Sequence, residues 1–279
     1  MVLQANAESI NDLRQTMQQR YAKPADSLKL KAAEFLLDNA PRHWAKKGEL
    51  MDLYLETLRN ILSIDNFEES SEKMSKLVSH AYIRKDLNTK VCDTDILSSD
   101  FLSRHIDRTF MLWQQGEFAR HLNFDQFCEF LLPYRVGEEQ IEDYFDEARE
   151  EYAPCLNMLE GNTQTAGSAY WAAQAVFDQI HSKQEYFKGA LTVWLSPLDF
   201  PYSVLKMMRM GKPIDYAALT AMVLRACGIP SAIDFAPWPQ YADSIVHQRK
   251  YRFTWNAVLD NNGRLIPFCG GIGSPSGPR

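Results

Sequence analysis

Three things are scarce in this chain of 279 residues: an excess of basic charge, long apolar runs and paired cysteines. Lys and Arg number 30 against 36 Asp and Glu, a net charge of −6. That balance excludes a broad basic surface of the kind that holds nucleic acid. No stretch of about 18 residues is apolar and free of charge, so no membrane-spanning helix is expected. The five cysteines, Cys92, Cys128, Cys155, Cys227 and Cys269, are scattered and form no C-x-x-C pair. A zinc ribbon and a dense disulfide framework are excluded on that ground. Gly and Pro, 13 of each, are too few for a collagen-like or low-complexity chain. The opening MVLQANAESINDLRQ lacks the basic head and apolar centre of a signal peptide, so either the protein is cytoplasmic or a leader lies upstream. What is present is 46% hydrophobic residues, ample for a core. The length fits about two domains of roughly 150 residues, or one large one.

Common cofactor signatures are also missing. The sequence contains no G-x-x-x-x-G-K-[ST] loop and no G-x-G-x-x-G fingerprint, so no nucleotide cofactor is expected. His43, His80, His105, His121 and His181 form neither H-x-x-x-H nor H-E-x-x-H, so no metal site is expected.

The first two-thirds reads as helical. Leu28, Ala32, Phe35 and Leu36 fall at i, i+4, i+7 and i+8, one apolar stripe. Asp26 precedes it as a candidate cap, and Pro41 stops it. Leu50, Leu53, Tyr54, Leu58 and Ile61 repeat the pattern. So do Leu102, Ile106, Phe110 and Trp113, with Ser98 and Ser99 as caps and Gly116 as the end. Phe124, Phe127, Cys128 and Leu131 form a shorter run ended by Pro133. Residues Glu138 to Glu151 carry eight acids and one arginine. They read as a solvated helix face over buried Ile141, Tyr144 and Phe145, and lack the EF-hand spacing of a calcium loop.

A Gly-, Asn- and Thr-rich loop, Gly161 to Gly167, is the best boundary between units. Beyond it, Trp171 to Ile180 reads as a helix. Asp215 to Cys227 reads as a helix apolar on nearly all sides, hence buried. Gly228 suits its left-handed cap, and Pro230 prevents continuation. The period then changes to two: Tyr251, Phe253, Trp255, Ala257 and Leu259 alternate with Arg252, Thr254, Asn256, Val258 and Asp260. That is a strand with one buried face. Asn261, Asn262 and Gly263 turn the chain, and Arg264 to Phe268 return as a second strand. The expected class is α+β, with a helical unit over 1–165, a core over 166–270 and a tail over 271–279.

The order of a buried helix followed by antiparallel strands resembles papain-like and transglutaminase-like folds. The segment RMGKPIDYAALTAMVLRACGIPSAIDF resembles the transglutaminase-like pattern of a glycine, a cysteine two residues later, an apolar helix and then R-A-x-G-I-P. Gly211, Arg225, Ala226, Gly228, Ile229 and Pro230 match it. TWNAVLDNNGRLIPF resembles the strand after the catalytic histidine, H-x-W-N, through Trp255 and Asn256. DSLKLKAAEFLLDNAP and FDQFCEFLLPYRVG resemble the helical leader of large transglutaminase-like proteins of Bacteroidetes, many of them lipoproteins. The resemblance runs from about Tyr21 to Phe268. It implies a cell-envelope or extracytoplasmic setting and a chain that is part of a longer protein.

The family's chemistry is acyl transfer through a thiolate at a helix N-terminus, served by a histidine on the adjacent strand and a third group that orients the imidazole. This sequence departs from it at each place. Pro213 stands where the cysteine belongs and Phe253 where the histidine belongs. The third position falls near Pro267 and Phe268, without a carboxylate. Proline has no nucleophile and phenylalanine no proton site, so the mechanism itself is absent. Proline suits the first turn of a helix, and phenylalanine suits an apolar strand face, so both keep the fold. Cys227 at the helix C-terminus, His247 in the preceding loop and Cys269 after the second strand are poor replacements.

The resemblance thus implies a catalytically degenerate domain without cofactor, acting in binding or as a structural module. Candidate walls of the former cleft are Asp215, Trp238, His247, Tyr251, Trp255 and Asn256, with an extended peptide, protein or glycan as the ligand. Trp255 and Tyr251 also fit plain core positions. A rearranged working thiol enzyme and a helical interaction scaffold built on residues 1–160 are the alternatives.

Overall fold

A computed structural model describes residues 8–83, 89–183, 199–208, 211, 213–236 and 253–268. The chain is α+β, with helices followed by a small antiparallel sheet. The helices are α1 (Ile10–Arg20), α2 (Ser27–Asn39), α3 (Glu49–Leu62), α4 (Phe67–Ile83), α5 (Ser99–Gln115), α6 (Phe124–Phe130), α7 (Phe145–Tyr152), α8 (Ala169–Lys183), α9 (Tyr202–Leu205) and α10 (Pro213–Ala226). Two short strands, β1 (Trp44–Lys46) and β2 (Lys90–Cys92), pair antiparallel among them. A second sheet has the order β3 (Ser231–Ala236), β4 (Phe253–Leu259), β5 (Leu265–Phe268), all antiparallel. Buried apolar side chains from Leu13 to Phe268 make one continuous cluster. No helix among the described residues is long and apolar enough to cross a membrane.

Local rules set the helix ends. Ser98 accepts the Phe101 N–H at 3.2 Å and opens α5. Asn123 and Gln126 exchange side-chain and backbone bonds in a capping box that opens α6. Asp26 precedes α2 but makes no capping bond, because the 3₁₀ turn Pro24–Asp26 runs straight into the helix. The buried stripe of α3 is Met51, Tyr54, Leu55, Leu58 and Leu62, while Leu50 and Leu53 of the expected stripe are 41% and 58% exposed. Neighbouring helices select which of two overlapping apolar stripes is covered, and spacing alone does not.

The larger departure lies between Glu138 and Tyr152. Only Phe145–Tyr152 is helical. Glu139, Gln140 and Glu142, expected on a solvated face, are buried. Their side chains hold an irregular strap together. Glu139 accepts the N–H groups of Val136 and Gly137 at 2.8 and 2.6 Å. Gln140 donates to the Lys46 carbonyl at 3.3 Å and to Asp52 at 3.0 Å. Glu142 accepts from Arg59 at 3.1 Å and from the Ser203 hydroxyl at 2.7 Å. Gly137 leaves room for Asp199: a Cβ there would lie 2.7 Å from the Asp199 carboxylate, which accepts the Glu138 N–H at 3.0 Å.

Asp93, fully buried, anchors the start of this strap. It accepts from the Tyr134 hydroxyl at 2.8 Å and from Arg135 Nε and Nη2 at 2.8 and 2.6 Å. The Arg135 Nη1 then donates to the Glu139 carbonyl at 2.5 Å. Arg225, in the last turn of α10, joins the set through backbone carbonyls. It donates to the Arg135 carbonyl at 3.0 Å and to the Ser231 carbonyl at 3.2 Å. Burial holds its pKa below the usual guanidinium range.

A buried charge stripped of its partner is far costlier than a lost surface pair. Asp93→Asn is therefore expected to lower unfolding free energy by about 3–5 kcal/mol in urea titration. Lys73→Ala, which breaks the exposed 2.7 Å pair with Glu69, is expected to change it by less than about 0.5 kcal/mol.

His105 gives a second expectation. Its Nε2 lies 2.6 Å from the Leu132 carbonyl and so carries the proton, and its ring sits among Phe101, Tyr134 and Phe145. Burial lowers its pKa from 6.5 to about 4, against the pull of Asp143 and with the push of Arg108 and Arg225. The unfolded chain binds this proton first, so the contribution is whole above pH 6.5 and is lost as pH falls toward 4. Urea titrations across that window are expected to show up to about 3 kcal/mol of loss, with a smaller slope in His105→Gln.

Candidate functional site

The two segments that carry the family resemblance meet along α10 and β4. Helix α10 is buried along nearly its whole length, from Asp215 at 3% exposure through Val223 and Leu224 at 0%. Its end is closed by Gly228 at φ 79, where a Cβ would be strained and would press on Leu112. The Ile229 N–H donates back to the Leu224 carbonyl at 2.9 Å, as in a Schellman cap. Pro230 follows, and its carbonyl accepts the Leu259 N–H at 3.0 Å.

One further contact fixes the direction of the strand. Asn256 Nδ2 donates to the Ala217 carbonyl at 2.9 Å. Ala217 lies in the second turn of α10 and Pro230 just beyond its end, while Asn256 precedes Leu259 along β4. Helix and strand therefore run in the same direction. Their first residues, Pro213 and Phe253, lie at the same end of the pair. Continuing one helical turn back from Ala217 and three strand residues back from Asn256 covers about 6 and 10 Å.

The environment at that end suits an anion. Asp215 is buried in the first turn of α10, where the free N–H groups and the helix dipole favour a carboxylate. Gly211 is buried beside it, and a Cβ there would come within 3.2 Å of the Asp215 Cβ.

The expected cleft residues divide as follows. Asp215 and Asn256 are buried, at 3% and 0% exposure. Trp255 is half-buried and sits opposite Asp234 of β3. Trp238, His247 and Tyr251 lie outside the described residues, as do Cys269 and the side chains of Pro213 and Phe253. The expected one-sided burial of β4 is not what the strand shows. Thr254, Asn256 and Val258 of the expected outer face are buried together with Ala257 and Leu259. Asn256 tolerates this because its amide is used on Ala217. Its Oδ1, the Thr220 Oγ1 and the Ser231 Oγ are buried without a hydrogen-bond partner among the described residues. An asparagine within an otherwise apolar strand was the available signal of an anchoring role.

Elsewhere, chemistry is sparse. Burial pushes the Cys227 thiol up to about 12, so it is held protonated. No group of three or more His, Cys, Asp and Glu among the described residues suits a metal ion. A groove of about 530 Å³ is lined by Asp146, Arg149, Glu150, Ala153, Pro154 and Asn157. Arg149 donates to the Ala226 carbonyl at 3.4 Å, so this groove lies toward the C-terminal end of α10, away from Pro213. Comparison with protein-family models, with curated proteins and with solved structures finds no match.

Replacing Asn256 by Ala removes the tie between β4 and α10, and about 1–2 kcal/mol of stability is expected to go with it. Asn256→Asp is expected to cost more, since it sets a buried carboxylate against the Ala217 carbonyl. Urea titration of the two variants checks the order.

Proposed function

We propose that the chain is a transglutaminase-like domain with a papain-like core, in which the thiol and imidazole positions are occupied by Pro213 and Phe253. It acts by binding an extended peptide or glycan, or as a structural module of a larger protein. The observation that carries this reading is the shared direction of α10 and β4, fixed by the Asn256–Ala217 and Leu259–Pro230 contacts. It brings the starts of both elements to one end, as a nucleophile on the helix and a base on the strand require. A thiolate there would meet the favourable end of the helix dipole. The side-chain identities at 213 and 253 remove the reaction and leave the scaffold.

The test is to reinstate the pair. In Pro213→Cys with Phe253→His, the introduced thiol is expected to react with iodoacetamide with a pH midpoint at least one unit below the ordinary 8.5. Pro213→Cys alone is expected to titrate closer to 8.5. Equal midpoints in the two variants would argue that residues 213 and 253 do not face each other. In the unaltered protein, rapid labelling of one cysteine well below pH 8 would overturn the degenerate assignment and favour a working thiol enzyme.

A further inference from the structure

The strap that leads into α7 sets two carboxylates side by side, and the proposed site does not use them. Three successive backbone N–H groups point at carboxylate oxygens there. Val136 N–H donates to Glu139 Oε1 at 2.8 Å, Gly137 N–H to Glu139 Oε2 at 2.6 Å and Glu138 N–H to Asp199 Oδ2 at 3.0 Å. Glycine at 137 permits the approach. A Cβ there would lie 2.7 Å from Asp199 Oδ2 and 3.3 Å from Glu139 Oε2. The two oxygens flank one point and are therefore at most about 6 Å apart, within the range over which one charge alters the ionisation of another. Glu139 is buried and Asp199 half-buried.

No basic side chain among the described residues is ion-paired with either carboxylate. Arg135 spends its donors on Asp93 and on the carbonyls of Trp44, Gly137 and Glu139. Lys90 lies 3.6 Å from the carboxylate of Glu138, the residue between them in the strap. Arg225 of α10 and Tyr144 are the other groups whose charge acts on Glu139, and Arg225 is taken up by backbone carbonyls. Two carboxylates so placed, without a cation between them, do not readily ionise together.

We propose that Glu139 and Asp199 share one proton and form a pH-sensitive clasp between the strap and the segment 199–208. With one proton held, a carboxyl O–H faces a carboxylate, and both groups still accept their N–H bonds. With both ionised, like charges face each other and push the clasp open. Burial raises the Glu139 pKa above the ordinary carboxyl value and Asp199 adds to the rise, while Arg135 and the Val136 N–H oppose it. The folded chain thus keeps this proton to higher pH than the unfolded chain does. Its contribution to stability is whole below the ordinary carboxyl pKa and is lost as pH rises through the raised one, the opposite sense to His105. The clasped segment contains α9 and leads in sequence to the start of α10.

The experiment is an NMR titration of the full chain, labelled with ¹³C at the Glu and Asp carboxyls and assigned through their own backbone resonances, from pH 8 down to the onset of acid unfolding. The Glu139 and Asp199 carboxyls are expected to shift together at one midpoint, at least one unit above the ordinary Glu value of about 4.3. The Glu138 amide resonance is expected to move with them. Asp199→Asn removes the like charge and keeps an oxygen for the Glu138 N–H, so the Glu139 midpoint is expected to fall by at least one unit. Separate midpoints for the two carboxyls in the unaltered chain would overturn the proposal, as would a Glu138 amide that stays still across a shared one. An unchanged Glu139 midpoint in Asp199→Asn would also overturn it, by assigning the rise to burial alone.

Discussion

The buried guanidinium of Arg225 is the constraint on which the arrangement depends. It carries charge into the interior, and the acceptors it meets among the described residues are the backbone carbonyls of Pro133, Arg135 and Ser231. Those carbonyls belong to the approach to the strap and to the start of β3, so the end of α10 is settled only when both are in place. Arg135 is held in turn by Asp93, which sits immediately after β2. A single chain of charge-assisted bonds thus runs from the small two-stranded sheet to the three-stranded sheet. Each link is buried, which makes the chain demanding in geometry and expensive to interrupt.

Much of this was legible in the sequence where a local rule acts alone. The cap at Ser98, the Gly228 terminator, the buried character of α10 and the hairpin through Asn261–Gly263 follow from residue type and spacing. The strap did not. Eight acids in fourteen residues read as a wet helix, because charge is ordinarily solvated. Here Glu139 turns back onto the nearby N–H groups of Val136 and Gly137, while Glu142 meets Arg59 and Ser203, brought from distant parts of the chain, and no local pattern announces the latter. The α3 stripe failed for a related reason. Leu50 and Leu53 are as apolar as Leu55 and Leu58, and the choice between them belongs to the neighbouring helices.

The site shows the same division. Position 213 at the head of a buried helix and position 253 at the head of a strand were readable from the R-A-C-G-I-P and W-N segments. That the two heads share an end depends on two contacts, the Asn256 amide reaching the Ala217 carbonyl and the Leu259 N–H reaching the Pro230 carbonyl. The family resemblance places Asn256 on a cleft wall. Its burial makes it a strut, and the strut aligns the two elements whether or not chemistry takes place at their tips.

The tip of the β4–β5 hairpin has its own consequence. Asn261 donates to the Gly167 carbonyl at 2.7 Å and accepts the Ala169 N–H at 3.0 Å, so one turn residue near the end of the sheet clasps the first turn of a helix 92 positions earlier. The Arg225 contact to the Arg135 carbonyl spans 90. Contacts of such sequence separation require much of the intervening chain to be gathered before they return any energy. Docking of the sheet onto the helices therefore rests on contacts whose loop-closure cost is high, whereas the β4–β5 pairing is local.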